Sequence, residues 1–271
     1  MNRREANVDS WTGALERAAA LTSGCFRRAI VLEETESTQD AARRIGAGAG
    51  SIVATRRQTA GRGRLGRVWS DPADEGVAAT FVVPRAPPER LAIACAVGAA
   101  KAVEPFLGRS VGLKWPNDLV VGGKKLAGVL VEQADQLAYI GVGINVAQNS
   151  WAAELADVAV SLAQLGIAVE RIDVLRSLVV SLAEALGMDD ARVAADFARR
   201  DVLCGCEAVL SSGGVTIAGR VLRVEAMRGL LVSSSGVEAW LPAALTTVVR
   251  VVHRDREVDP RARGSRYPSS M

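Results

Sequence analysis

Hydrophobic positions divide the 271-residue chain into a mixed first part and a β-rich last part. Helical spacing of apolar residues predicts helices at 1–26, 40–45, 88–105, 171–186 and 190–200. Short apolar runs bounded by turn residues predict strands at 30–32, 51–55, 76–83, 111–115, 119–121, 126–132 and 138–142. Strands clustered between helices indicate an α+β fold, a mixed β-sheet packed by helices on one face.

The pattern changes at Gly205. Short alternating segments at 207–210, 215–224, 230–233 and 238–241, with glycines between them, predict a small C-terminal β-barrel. We therefore expect a helical lead-in at 1–26, a first domain at 27–202 and a second domain at 203–252. The polar stretch at 253–271 has no apolar periodicity, so we expect a disordered tail there.

Composition excludes several classes of protein. Hydrophobic residues make up 49% of the chain and charged residues 23%, as in ordinary soluble proteins. A net charge of +3 is too weak to indicate nucleic-acid binding by bulk charge. The four cysteines and the single histidine, His253, do not have the spacing of a zinc site or a histidine-based triad. A charged N-terminus and the lack of a long apolar run predict a cytoplasmic protein with reduced thiols.

A glycine- and arginine-rich segment from Gln58 to Arg67 contains nothing that could form a core, so we expect a loop. Its glycines allow close backbone approach to an anion, and its arginines can bind carboxylate or phosphate in a bidentate way. An exposed loop or an arginine-mediated nucleic-acid contact explains the same residues. Composition alone leaves these interpretations open.

Three further segments carry candidate chemistry: Lys114-Trp-Pro-Asn-Asp118, the strand that starts at Lys125, and Asn145 near a strand end. Each has a purely structural alternative, because turns favour Pro, Asn and Asp, and hairpins often carry exposed lysines. Ser37-Thr38 stands where a helix cap is expected.

The ordered combination of these motifs resembles one family. Taken in order, five motifs are similar to those of the biotin protein ligases. They are Ser37-Thr38, the Gly61-Arg-Gly-Arg-x-Gly-Arg67 run with Gln58 and Trp69, the Lys114–Asp118 box, Lys125-Leu-Ala-Gly-Val-Leu-Val-Glu132 and Gly141-x-Gly-Ile-Asn145. The resemblance covers 30–146 by motif and extends to 252. It implies a catalytic domain of the class II synthetase and biotin ligase type, followed by an SH3-like barrel.

The resemblance also implies a reaction and its partners. Biotin and ATP, with Mg²⁺, would give biotinyl-5′-AMP, and a lysine of a biotin carboxyl carrier domain would then accept the biotinyl group. Preorganised cations suit this chemistry, because two anions must approach each other. No covalent nucleophile or protein-bound metal is expected.

Residue roles follow by transfer from the family motifs. Lys125, Arg62 and Arg64 are the expected catalytic residues. The expected ligand-binding residues are Ser37, Thr38, Gln39, Gln58, Gly61, Arg62, Gly63, Arg64, Trp69, Lys114, Asn117, Asp118, Lys125, Gly128 and Asn145. Ser37, Thr38 and Gln58 would bind the ureido ring of biotin. The loop with Arg62, Gly63 and Arg64 would cover the biotin carboxylate and the α-phosphate, and Asn145 would lie near adenine. Asp118 would orient Lys125.

Two features modify the resemblance. Gln39 stands where the family commonly has Asn, and backbone contacts there would survive the change. The region before residue 30 is too short for a winged helix-turn-helix, so we expect a monofunctional ligase without sequence-specific DNA binding. A lipoate ligase of the same fold, a nucleic-acid binding module and an inactive biotin sensor remain alternatives, and the oligomeric state stays open.

Overall fold

The structure is a computed structural model that describes residues 7–71 and 74–252. The predicted tail at 253–271 and the first six residues of the predicted lead-in lie outside the described residues. The helices are α1 (Val8–Ala20), α2 (Thr38–Arg44), α3 (Pro88–Leu107), α4 (Arg171–Gly187) and α5 (Asp190–Ala198). The strands of the first part are β1 (Arg28–Thr35), β2 (Ser51–Gln58), β3 (Gly61–Arg62), β4 (Val68–Trp69), β5 (Val77–Pro84), β6 (Gly112–Lys114), β7 (Asp118–Val121), β8 (Lys124–Ala134) and β9 (Leu137–Ile144).

Seven of these strands form one mixed sheet in the order β1-β2-β5-β9-β8-β7-β6. The β1–β2 pair is parallel, whereas β2–β5, β5–β9, β9–β8, β8–β7 and β7–β6 are antiparallel. Strand β5 is buried at every position from Val77 to Val83. A strand in the middle of a sheet that is covered on both faces has this continuous apolar pattern. The predicted α+β class is therefore confirmed.

Helices cover both faces of the sheet, so the expectation of helices on one face was wrong. The long helices α3 and α4 pack against each other and, with α1, bury the larger hydrophobic core. On the opposite face, Ala41 and Ala42 of α2 pack with Val53, Val82 and Tyr139 in a separate cluster. Successive residues of a strand point to opposite faces, so β2 and β5 supply both clusters. A seven-residue helix shows too little periodicity to indicate its face.

The C-terminal part is a second, antiparallel sheet of five strands in the order β13-β12-β11-β10-β14. Its strands are β10 (Glu207–Ser212), β11 (Val215–Glu225), β12 (Gly229–Ser234), β13 (Val237–Pro242) and β14 (Thr246–Val252). Sequence analysis identified four of them and missed β14, because its run of Thr and Val lacks a clear alternation. Within the described residues the ladder runs from β13 to β14 without closing on itself, and the arrangement is consistent with the expected SH3-like domain. The division at 203 stays a prediction.

A hydrogen bond joins the turn after β6, in the first part of the chain, to a turn of the C-terminal sheet. The Trp115 indole Nε1 donates to the Ala226 carbonyl at 2.7 Å, and the Trp115 ring is 1% exposed. Ala226 lies in the turn between β11 and β12. A buried indole N–H needs such a partner, so the bond fixes where the C-terminal sheet meets the 115–118 turn.

No helix among residues 7–71 and 74–252 combines the length and the hydropathy that a bilayer crossing requires. All four cysteines are free thiols.

The contact between α3 and α4 gives a stability prediction. A Cβ added to Gly98 would lie 3.0 Å from the Ser181 carbonyl oxygen and 3.1 Å from Leu182 Cα. Backbone atoms cannot move aside cheaply, so Gly98→Val should lower the free energy of unfolding by about 1–3 kcal/mol. The same change at Gly187, whose added Cβ meets nothing within 4 Å, is the control. Urea unfolding of both variants measures the difference, and equal midpoints would contradict this packing.

Candidate functional site

The floor of the site is a stretch of sheet that lacks side chains. Ala78 of β5 pairs with Gly143 of β9, and Gly143 pairs with Gly128 of β8. Paired residues of neighbouring strands point to the same face, so these positions and Gly141 together leave a depression. A Cβ added to Gly143 would lie 2.4 Å from the Trp69 ring, so the indole rests directly on this glycine.

A cavity of about 270 Å³ opens above this floor. The predicted site residues that line it are Ser37, Thr38, Gln39, Gln58, Arg62, Gly63, Arg64, Trp69, Lys114, Asn117, Asp118, Lys125, Gly128 and Asn145. Gly61 is not part of the lining. A Cβ added to Gly61 would lie 2.5 Å from Gln58 Nε2 and 2.7 Å from the Trp69 carbonyl oxygen, so Gly61 provides space for its neighbours.

Hydroxyl and amide groups form one end of the cavity, where α2 begins. Ser37 caps the helix by accepting from the Asp40 N–H, as the sequence indicated. The Thr38 N–H donates to Gln58 Oε1 at 3.0 Å, and the Thr80 hydroxyl donates to the Thr38 hydroxyl at 2.8 Å. Gln58 Oε1 is occupied in this way, and the Ser37 and Thr38 hydroxyls line the cavity beside it. This end can therefore both donate and accept hydrogen bonds.

Gln39 lies beside this group and is 4% exposed. Its Nε2 donates to the carbonyls of Tyr139 at 3.0 Å and Leu130 at 3.3 Å. Both donor positions of the amide are used on the sheet, which fastens α2 to β8 and β9. Gln39 thus lines the cavity and also anchors the helix that carries the polar end.

Lys125 and Asp118, both in the cavity lining, form an ion pair. Lys125 Nζ lies 2.6 Å from Asp118 Oδ1 and 5.6 Å from the centre of the Trp69 ring. The register between β7 and β8 shifts after Leu119, which produces a β-bulge. A bulge interrupts the alternation of faces, so Lys125 lies beside Gly128 on the cavity side. A Cβ at Gly128 would lie 3.0 Å from Lys125 Nζ, so the glycine leaves room for the ammonium against the sheet.

The main chain of Lys125 is held on both sides. Its N–H donates to the Val158 carbonyl at 2.7 Å, and its carbonyl accepts from Val160 at 2.9 Å. The Asn145 Nδ2 donates to the carbonyls of Lys125 at 3.2 Å and Val160 at 3.1 Å. Asn145 was expected near adenine. In the structure its amide nitrogen positions Lys125, while the residue also lines the cavity.

Positive charge exceeds negative charge in the rest of the lining. Arg64 Nη1 donates to Asn117 Oδ1 at 3.3 Å, and Asn117 Nδ2 donates to the Val129 carbonyl at 2.6 Å. Burial lowers the pKa of Arg64, and burial also lowers the pKa of Lys114. Asp118 is the carboxylate of the lining, and it already pairs with Lys125. Such a group of desolvated cations is suited to an anionic ligand.

Arg62 behaves differently from the expectation that it covers a ligand. One terminal nitrogen pairs with Asp40, and the other lies 3.0 Å from Glu132 Oε2. These carboxylates belong to α2 and β8 rather than to the cavity lining. Arg62 is therefore already neutralised, whereas Arg64 and Arg67 also line the cavity and remain available to an anion.

The Gly-Arg segment is not the irregular loop that composition predicted. Gly61 and Arg62 pair with Trp69 and Val68 as a two-stranded hairpin, with a short 3₁₀ turn at Arg64–Gly66 between the strands. The Gly63 N–H donates to the Arg67 carbonyl at 2.7 Å. Main-chain pairing gives this segment its form without a hydrophobic core.

Comparisons with known proteins agree with this geometry. Residues 31–145 match the sequence profile described as "Biotin/lipoate A/B protein ligase family". The chain is 37% identical over 154 residues to the bifunctional ligase/repressor BirA of Bacillus subtilis, covering 53% of this chain and 47% of that protein. It is 36% identical over 155 residues to the biotin–[acetyl-CoA-carboxylase] ligase of Mycobacterium tuberculosis, covering 53% of this chain and 58% of that protein.

A solved structure extends the likeness beyond the matched segment. The biotin protein ligase from Aquifex aeolicus in complex with biotin and ATP has a TM-score of 0.74 and 26% sequence identity, covering 83% of this chain and 100% of that one. The sequence matches span about half the length of the curated relatives. The profile match covers 31–145, and the likeness in fold extends over most of the chain.

Several residues that line the cavity were not identified from the sequence. The segment after β9 contributes Trp151, Leu155, Val158 and Ala159, and β14 contributes Thr247 and Val248. Trp151 Nε1 donates to Gln164 Oε1 at 2.8 Å. The segment has no motif, and β14 is distant in sequence from the other lining residues. The scarcity of aromatic residues, among which there are five tryptophans, was the one sequence signal that could have pointed to Trp151.

The cavity does not fit a resident metal ion. The described residues contain no group of three or more His, Cys, Asp or Glu side chains placed to hold one. Mg²⁺ binds through carboxylates and substrate phosphates, and Asp118 is already paired with Lys125.

Lys114 gives a pH prediction for this site. Burial lowers its pKa, and the charges of Lys125 and Arg67 add to that effect while Asp118 opposes it. Lys114 should therefore lose its proton at a lower pH than an exposed lysine. A bound anion favours the charged form, so the affinity for inorganic pyrophosphate should fall as pH rises through the pKa of Lys114 in the free protein.

Calorimetric titration with pyrophosphate between about pH 7 and pH 10 measures this dependence. Lys114→Arg keeps its charge throughout this range and should flatten the profile. An unchanged slope in that variant would assign the titration to another group.

Proposed function

We propose that the protein is an ATP-dependent ligase that attaches biotin to a lysine of a biotin carboxyl carrier domain through biotinyl-5′-AMP. One observation carries the proposal. Arg64, Lys114 and Lys125 meet in one cavity with a single, already paired carboxylate, next to an end rich in hydroxyl and amide groups. A ligand with a neutral polar ring, a carboxylate and a nearby polyphosphate matches this distribution.

The polar end favours biotin over lipoate within the same family. A ureido ring presents two N–H donors and one carbonyl acceptor, and Ser37, Thr38 and Gln58 offer both kinds of partner. A dithiolane ring makes no comparable hydrogen bonds, so these buried polar groups would lose their water without compensation. The relative from Mycobacterium tuberculosis is named a biotin–[acetyl-CoA-carboxylase] ligase, which supports the same choice.

The first step joins two anions. The biotin carboxylate attacks the α-phosphate of ATP, a carboxyl–phosphate bond forms, and pyrophosphate leaves. Lys125 is the proposed catalytic residue, because it lines the cavity and its main chain is held from both sides. Asp118 is its positioning residue. Arg64 and Lys114 are assigned to the carboxylate and phosphate oxygens, where fixed cations stabilise developing charge.

The nucleotide is assigned to the side formed by Trp69, Asn117 and Asn145. The apolar residues Trp151, Leu155 and Val158 lie at the cavity and suit the faces of a purine. A nucleic-acid binding role has less support, because Arg62 is neutralised by two carboxylates and Arg64 lines the cavity rather than an exposed face.

In the second step, the amine of the carrier lysine attacks the biotinyl carbonyl and AMP leaves. The C-terminal sheet adjoins the site through Trp115 and β14, so the proposed domain at 203–252 would flank the approaching carrier. The cytoplasmic location stays a prediction, as does the absence of sequence-specific DNA binding.

Adenylate formation tests the proposed function. Purified protein incubated with biotin, MgATP labelled in the α-phosphate and pyrophosphatase should yield biotinyl-5′-AMP. Replacing biotin with lipoate should yield none, and calorimetric titration with each acid gives the matching affinities. Adenylate formed with lipoate but not with biotin would assign the other ligase class, and adenylate formed with neither would refute the proposal.

Removal of the central ammonium tests the assigned mechanism. Lys125→Ala should lower the rate of biotin-dependent pyrophosphate exchange by about 10²–10³, because a preorganised charge at the reacting atoms is lost. The neighbouring Lys124 is the matched control. Its Nζ donates to the Ala156 carbonyl outside the cavity lining, so Lys124→Ala should exchange nearly normally. Equal rates in the two variants would remove Lys125 from the mechanism.

A further inference from the structure

We propose that Asp40, Arg43 and Glu132 are positioning residues that hold the Gly-Arg hairpin over the cavity through a network of ion pairs with Arg62. This inference rests on the proposed function for its kinetic consequence, but its structural claim can be tested without it. The four side chains are called the Arg62 network below.

The network is a closed ring of alternating charges. Arg62 pairs with Asp40 through one terminal nitrogen and with Glu132 Oε2, at 3.0 Å, through the other. Arg43 lies 2.6 Å from the same Glu132 oxygen and 3.2 Å from Asp40 Oδ1. Each carboxylate thus bridges both guanidinium groups, and the ring has no net charge.

The surroundings of the ring keep it in place. The Arg43 guanidinium lies over the Tyr139 ring, with its Cζ 4.8 Å from the ring centre. The hydrogen bond from Arg62 is the main reason that the pKa of Asp40 is lowered, so Asp40 remains charged at neutral pH. The side chains are between 28% and 48% exposed, so each ion pair is partly solvated. Networks with shared partners are stronger than isolated surface pairs.

The ring joins three elements that meet at the cavity. Asp40 and Arg43 lie in α2, whose first residues form the polar end, Glu132 lies in β8, and Arg62 lies in β3 of the hairpin. Two residues after Arg62, Arg64 reaches Asn117 inside the cavity. The two arginines therefore have separate roles: Arg62 holds the base of the hairpin, and Arg64 is presented to the ligand.

A consequence for binding follows. If the hairpin leaves its closed position more often, the fraction of protein competent to hold biotin falls and its apparent affinity falls in proportion. Once ligand is bound and the hairpin is closed, Lys125 and Arg64 are unchanged. Loss of the network should therefore act mainly on KM for biotin and only weakly on kcat.

Limited trypsin digestion measures the position of the hairpin directly, since Arg62, Arg64 and Arg67 are cleavage sites within it. Asp40→Asn/Glu132→Gln should be cut at these sites about 10-fold faster than the native protein. The control Asp173→Asn/Glu184→Gln removes the same charge from ion pairs with Arg176 and Lys101 on α3 and α4. It should be cut in the hairpin at the native rate, and thermal unfolding should show that both variants are folded.

Kinetics of biotin-dependent pyrophosphate exchange provide the second readout. The double network variant should raise KM for biotin about 10-fold and change kcat less than about 3-fold. Asp40→Glu, which keeps the carboxylate, should restore most of the loss seen in Asp40→Asn. Hairpin cleavage and KM equal to those of the control variant would overturn the Arg62 network. Absence of exchange in the native protein would instead refute the proposed function, while the digestion result would still decide the network.

Discussion

Repulsion among desolvated cations is the constraint on which the cavity depends. Arg64, Lys114 and Lys125 share a small space with Asp118, and burial lowers the pKa of Arg64 and of Lys114. Such charges would move toward solvent unless they were held. The main chain of Lys125 is fixed by Val158 and Val160, and its ammonium is fixed by Asp118. Arriving anions relieve the repulsion, so the site is organised for them before they bind.

The sheet makes room for this arrangement by omitting side chains. Ala78, Gly128 and Gly143 are paired across three strands, and the Trp69 ring lies on the glycine at their centre. A β-bulge then brings Lys125 to the same side as Gly128. The floor and the position of the cation are thus consequences of strand register in the main sheet, and the Gly-Arg hairpin adds the aromatic wall. Rigid elements hold reacting groups more precisely than loops do.

Arg62 and Arg64 look equivalent in the sequence, but they have different partners and different roles in the structure. Arg62 contacts two carboxylates outside the cavity, whereas Arg64 contacts an amide inside it. A similar division applies to Asn145, whose amide nitrogen supports the main chain of Lys125. The C-terminal sheet adds Thr247 and Val248 to the lining and is tied to the 115–118 turn by the indole of Trp115. The site is therefore assembled from both sheets.

The sequence by itself determined the α+β class, the start of the second sheet and the motif residues, fourteen of which line one cavity. It could do so because apolar periodicity and turn chemistry are local properties of the chain. Tertiary structure alone decided that α2 covers the face of the sheet opposite α3 and α4. It also decided that β14 and the segment at Trp151 reach the cavity, and that Arg62 is neutralised while Arg64 is not. These outcomes depend on strand register and on partners such as Glu132, 70 residues from Arg62, and no local pattern encodes such a distance.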